Sequence, residues 1–242
     1  MRRTVDVDAL LVPFDGENPG GEDLRYHKEY DDIKEARRYD DQLDQGDWKT
    51  ELKKADWEKV RDVAVDALAK KTKDLQIAVW LTEAFIATEQ FEGCAAGIRI
   101  INGLLRDFWD SLYPPMEDGD LEYRIAPLEF LNEKLSSSLA DVPLTDKSRT
   151  EGYSFFLWQK SRQLGYDAEP RDEEKRRQRE ELIAEGNPTA NQFDAAVAAS
   201  PPASTNPCRR RLLLAPKSSS SSTPSWMSDL AGKRRDSRIL ER

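Results

Sequence analysis

The densest run of groups that could act on a ligand is PFDGENPGGEDLRY, Pro13 to Tyr26, where Asp15, Glu17, Glu22 and Asp23 alternate with Gly16, Gly20 and Gly21. A glycine-rich loop opening onto a helix can cradle a phosphate with its backbone N–H groups. This one lacks the GxxxxGK[ST] spacing, and its carboxylates would repel an anion, so phosphate is set aside. A second acidic run, EDGDLE at Glu117 to Glu122, could in principle supply an acid/base pair. It reads equally well as a solvated turn, and no spacing singles out two partners. His27 is the one histidine, so any Ser-His, Cys-His or multi-histidine metal arrangement would need it. Its neighbours are charged, and a surface position is expected. CxxC, HExxH, GxSxG and GxGxxG are all absent. The expectation is therefore a protein that is not an enzyme, with no catalytic residues, no cofactor and no metal.

Binding is the chemistry left. A loop shaped by several Pro and Gly residues ahead of a helix is a candidate docking element. Its residues are Pro13, Asp15, Gly16, Glu17, Asn18, Pro19, Gly21, Asp23, Leu24 and Arg25. The same residues could equally cap and pack the domain, and the sequence leaves both roles open. Trp48, Trp57, Trp80, Trp109, Trp158 and Trp226 could line a ligand cage, but those at helical stripe positions are expected in the core. Cys94 sits in a helical pattern and reads as a small buried hydrophobe. With Cys208 it makes no disulfide framework.

The elements that must position this loop are helical. The central stretch runs from Asp74 to Pro114. Its first half leaves little more than Gln76, Thr82 and Glu83 to face water, which predicts a buried helix. After a break at Glu92-Gly93, Ile98, Ile101, Leu104 or Leu105, Phe108 and Leu112 recur at helical spacing, which predicts a packed partner helix. Before this pair, a weakly apolar helix is expected from Lys28 to Tyr39. Another follows from Trp57 to Lys70-Lys71 with Asp56 as its N-cap. After it come a helix with Pro127 in its first turn and the stripe Leu128, Leu131, Leu135 and Leu139. Val142 to Leu144 could be extended, and Tyr153 to Leu164 reads as one more helix. Residues 170–185 form a charged helix opened by Pro170, with Asp172/Arg176 and Glu173/Arg177 one turn apart. A last helix starts near Ala190. The fold class is all-α, bundle-like. The domain division is 1–166 for the helical N-terminal domain, 167–199 for the charged helix and the start of a further helix, and 200–242 for a tail.

Composition agrees with one concentrated core, since 34% of the 242 residues are charged and 38% are hydrophobic. The net charge of −9 excludes nucleic acid as the main partner. No run is long enough for a signal peptide or a membrane span, so a cytoplasmic protein is expected. From Ser200 onward there are nine Lys/Arg against three Asp/Glu, a net of +6 that leaves −15 on residues 1–199. This Ser-, Pro- and Arg-rich tail is expected to be disordered. With GC-rich codons, Lys217 to Ser237 read one frame over allows ELEQLDALVDERFGREAPGF, an amphipathic helix. The expectation is a frameshift after about residue 199 that replaces a helical continuation with a non-native end.

Six blocks in order carry a resemblance. They are PFDGENPGGEDLRY, DDIKEARR (Asp31 to Arg38), KKADWEKV (Lys53 to Val60), KDLQIAVWLTEAF (Lys73 to Phe85), GLLRDFWDSLYP (Gly103 to Pro114) and DGDLEYRIAPLEFLNEKL (Asp118 to Leu135). Over residues 8–199 the chain resembles the N-terminal domain of the TssA, or ImpA-related, family of type VI secretion proteins. The resemblance implies a non-enzymatic, cytoplasmic assembly factor, possible recruitment to the inner-membrane apparatus, and protein partners among baseplate, membrane-complex and tail-tube or sheath subunits. In that family a far C-terminal region builds ring oligomers; nothing after Ser200 matches it, so the resemblance extends no ring to this chain. An adaptor outside secretion that holds helices or peptides on the same domain is the alternative, and a carboxylate hydrolase is a third.

Overall fold

The computed structural model describes residues 5–38, 54–116, 119–166 and 172–200. Expectations for Tyr39, Trp48, Pro170, Cys208, Trp226 and the shifted-frame tail lie outside the described residues. Among these residues there are seven α-helices, a 3-10 turn at Asp8–Leu11 and no strand: α1 Lys28–Arg37, α2 Trp57–Lys70, α3 Leu75–Asp107, α4 Glu122–Ala140, α5 Phe155–Leu164, α6 Glu173–Ala184 and α7 Ala190–Ala199. The protein is all-α, as its helical periodicity implies.

α3 is the centre. Asp74 caps it by accepting from the Ile77 amide at 3.0 Å, and Leu75, Ile77 to Leu81, Ala84 and Phe85 are buried with almost no polar side left over. The break expected at Glu92-Gly93 lies at Gln90, whose φ of 60° and ψ of −134° reverse the chain. A Cβ on Gly93 would strike Phe85, and one on Gly97 would strike Thr82. Fifteen residues of straight helix span about 22 Å, so contact between positions 82 and 97 requires two antiparallel arms. Gly93 is thus a close-approach residue, and the reversal falls on Gln90 just before it.

The core gathers around the first arm. α2 contributes Val60, Ala64, Ala67 and Leu68; α1 contributes Ile33 and Ala36; α4 contributes Leu131; and the 3-10 turn contributes Leu10. Each of the larger apolar side chains is worth about 1.5–3 kcal/mol when fully buried. α4 begins five residues before Pro127, which therefore stands inside the helix and not in its first turn. Its start is fixed elsewhere: Arg124, only 3% exposed, donates to the carbonyls of Pro114, Trp109 and Leu112 at 2.8, 2.6 and 2.7 Å. That anchor ties α4 to the end of α3.

α5 packs on α7, with Tyr153 and Phe193 stacked 5.7 Å apart and Arg162 paired with Asp194. Within Val142 to Leu144, where the sequence allows an extended piece, Pro143 forms an isolated antiparallel bridge with Ser154 and the Leu144 amide donates to the Tyr153 carbonyl at 2.8 Å. α6 buries none of its residues. Its pairs are Arg176/Glu173 and Arg177/Glu181, because Asp172 turns back to cap the helix by accepting from the Glu174 and Lys175 amides.

Candidate functional site

The loop from Pro13 to Arg25 divides into two halves. Pro13, Asp15, Gly16, Glu17, Asn18 and Pro19 are exposed, whereas Gly21, Asp23 and Arg25 are partly covered and Leu24 is fully buried. Asn18 is the junction. Its Oδ1 accepts from the Gly20 amide at 3.0 Å, and its Nδ2 donates to the Gly21 carbonyl at 2.8 Å and the Tyr113 hydroxyl at 3.0 Å. Beyond it the chain is stitched to the entry of α3. The Lys73 amide donates to the Gly20 carbonyl at 2.7 Å, the Glu22 amide to the Lys71 carbonyl at 2.8 Å, and the Tyr113 amide to the Lys73 carbonyl at 3.0 Å. Gly20 and Gly21 permit this approach, since a Cβ on either would enter the carbonyl of Ser111 or Lys71, and Gly21 also needs its φ of +78°. Asp23 and Arg25 clasp one another through Nε at 2.9 Å and Nη2 at 2.7 Å.

Behind the seated half lie two buried ionisable groups. Lys73 is fully buried. Its Nζ donates to the carbonyls of Leu10 and Leu68, both at 2.8 Å, and lies 4.2 Å from the centre of the Phe14 ring. Burial lowers its pKa to about 8. One ammonium thus fastens the 3-10 turn to the end of α2 and lies against Phe14, while the Lys73 backbone amide holds Gly20. Asp74 next to it is buried, and burial raises its carboxyl to about 7 against the hydrogen bonds from the Ile77 and Gln76 amides. Its Oδ2 has no hydrogen-bond partner.

The exposed half borders a pocket of about 640 Å³. Glu17, Asn18 and Pro19 form one side; Arg106 to Tyr113, with Pro115 and Met116, form the other. A larger groove of about 1130 Å³ runs between α1, the Gln90 turn and α4. At its floor Arg37 lies 5.1 Å from the Trp80 ring centre and 5.4 Å from that of Phe130, and its Nε donates to Glu83 at 2.9 Å. Burial raises the Glu83 carboxyl, and the Arg37 charge opposes that rise.

The structure brings together only part of what the sequence singled out. The ten loop residues form one continuous feature, but Leu24 belongs to the core and Asp23 and Arg25 satisfy each other. His27 is exposed, as its charged surroundings imply. In the acidic run, Asp120 accepts from the Glu122 amide at 3.0 Å and opens α4. Cys94 is half-buried, not buried, and burial raises its thiol. Trp80 is in the core, but Trp158, on α5, is 37% exposed. Lys73 and Arg124 were missed. The only signal for either is its place within the blocks KDLQIAVW and DLEYRIAP. No group of three or more His, Cys, Asp or Glu among the described residues could hold a metal ion, and no helix there is long and apolar enough to cross a membrane.

Fold and site together define an all-α domain with a firmly seated loop whose acidic tip borders a pocket. Comparison narrows this to a family. Residues 11–133, just over half the chain, match the family described as ImpA, N-terminal, type VI secretion system. The chain belongs to this TssA/ImpA N-terminal family. It is 29% identical over 152 residues to the type VI secretion system component TssA1 of Pseudomonas aeruginosa strain PAO1. That match covers 61% of this chain but only 44% of TssA1. The fold is similar to the N-terminal domain, including the conserved ImpA_N region, of the TssA component from Burkholderia cenocepacia. The TM-score is 0.68 at 32% identity, over 83% of this chain and 73% of that one.

Proposed function

We propose that this chain is a non-enzymatic assembly and scaffold component of a type VI secretion system. It binds baseplate, tail-tube or sheath and membrane-complex subunits from the cytoplasmic side and is recruited to the inner-membrane apparatus. Family membership carries this reading. The loop supports it: a tip held open by a seated base is preorganised for a protein surface and loses little entropy on docking.

The test is recovery of partners. A tagged chain expressed in a cell with an intact secretion cluster should retain baseplate, sheath or tube subunits through washing in moderate salt. Recovery of none of them, with the chain folded and abundant, contradicts the proposal.

A further inference from the structure

The pocket beside the loop tip has a chemical bias. Its floor is apolar: Phe108 and Leu112 are buried beneath it, and Trp109, Pro19, Pro115 and Met116 contribute their sides. Its rim is anionic. Glu17 and Asp110 face it from opposite walls, and no ion pair among the described residues engages either. Asp107 is held by its neighbour Arg106, the one exposed cation among the described residues of the rim. The other guanidinium lining the pocket, that of Arg124, is buried and donates to three backbone carbonyls, and its charge is felt by Asp110. The end of α3 also opens here, and a helix C-terminus carries a partial negative charge.

From this we infer that the pocket between Glu17–Pro19 and the end of α3 receives a segment of a protein partner in which a Lys or Arg side chain adjoins an apolar one. The apolar side chain fills the floor against Trp109, Pro19 and Met116, and the cation lies between Glu17 and Asp110. A basic peptide is favoured over an acidic one because Glu17, Asp110 and a helix C-terminus face the same space, with only the buried Arg124 charge acting on Asp110 from behind. The inference rests on the proposed assembly role and adds the kind of surface that the loop recognises.

The test uses the full chain and an array of overlapping 15-residue peptides covering the baseplate, sheath and tube subunits of its secretion cluster. A Glu17→Lys/Asp110→Lys variant runs in parallel, checked for native helicity by circular dichroism. Both positions are exposed, so the variant is expected to fold. The wild-type chain should mark peptides that pair Lys or Arg with an apolar neighbour, and those signals should fall about tenfold in the variant. Signals on acidic peptides, or on basic ones that the variant leaves unchanged, overturn the pocket assignment. Intact subunits bound equally by both proteins keep the assembly role and overturn the pocket. Binding of neither peptides nor subunits overturns both.

Discussion

Residues 13–19 and 20–25 are one continuous loop with two different physical roles. From Gly20 on, the backbone is bonded to Lys71 and Lys73 and Leu24 is buried. Before Gly20 the carboxylates of Asp15 and Glu17 stand in solvent. Only the Asn18 side chain links the two halves through more than one bond. A loop can therefore be rigid without being buried. The seated half supplies the stability, and the tip is left with a fixed shape and unspent charge.

If that division holds, substitutions behind the seated half should cost stability and those at the tip should cost only binding. The largest effect is expected from Lys73→Met. It strands the carbonyls of Leu10 and Leu68, for a loss of about 3 kcal/mol in urea denaturation. A neutral result would mean that the ammonium does not fasten the 3-10 turn to α2 behind the loop.

Asp74 sharpens the same point through pH. Its folded pKa is raised to about 7 from an ordinary value near 4, so the folded state binds the proton more tightly. Its contribution is fully present below about pH 4 and is lost as pH rises through 7. Lys73, lowered to about 8, acts in the opposite sense only at higher pH. Between pH 4 and 7.5 the wild type should thus lose on the order of 3 kcal/mol relative to Asp74→Asn, whose amide oxygen still caps α3. Parallel stability-pH curves would remove Asp74 from the account.

A smaller effect is expected at the α3 reversal. Gln90 holds a positive φ that a glycine adopts without strain, so Gln90→Gly should raise stability by about 1 kcal/mol. Thermal unfolding reads this directly, and a loss would mean that the Gln90 side chain contributes more than its backbone costs. The smallest stability change belongs to the tip. Glu17→Lys should stay within about 0.5 kcal/mol of wild type while weakening partner capture.

The sequence carried the helices more clearly than the joints between them. The stripe Trp57, Val60, Ala64, Ala67 and Leu68 and the Asp56 cap mark α2, with Trp57 only half-buried and the Lys59 amide donating to Asp56 at 3.0 Å. The buried arm of α3 is legible for the same reason: apolar periodicity and side-chain caps are local. What was not legible depends on approach between distant segments. Gly93 reads as a break, yet it is small because Phe85 lies against it, and the reversal falls on a glutamine. Pro127 reads as a helix start because nothing local announces the three carbonyls that hold Arg124 upstream. Nothing local marks Lys73 or Arg124, because the carbonyls they satisfy are brought to them only by the fold. The loop was legible as one feature, but its division at Asn18 depends on Tyr113, 95 residues away.

The central claim is that the tip and the end of α3 are the contact surface while the seated half is scaffold. Amide hydrogen exchange on the full chain, alone and mixed with purified baseplate and sheath subunits, tests this most directly. The account predicts added protection confined to residues 14–19 and 106–116, with residues 20–25 and 71–75 already slow in the free chain. Protection appearing instead on α5, around the exposed Phe155, Phe156 and Trp158, or fast exchange at residues 20–25 in the free chain, would contradict it.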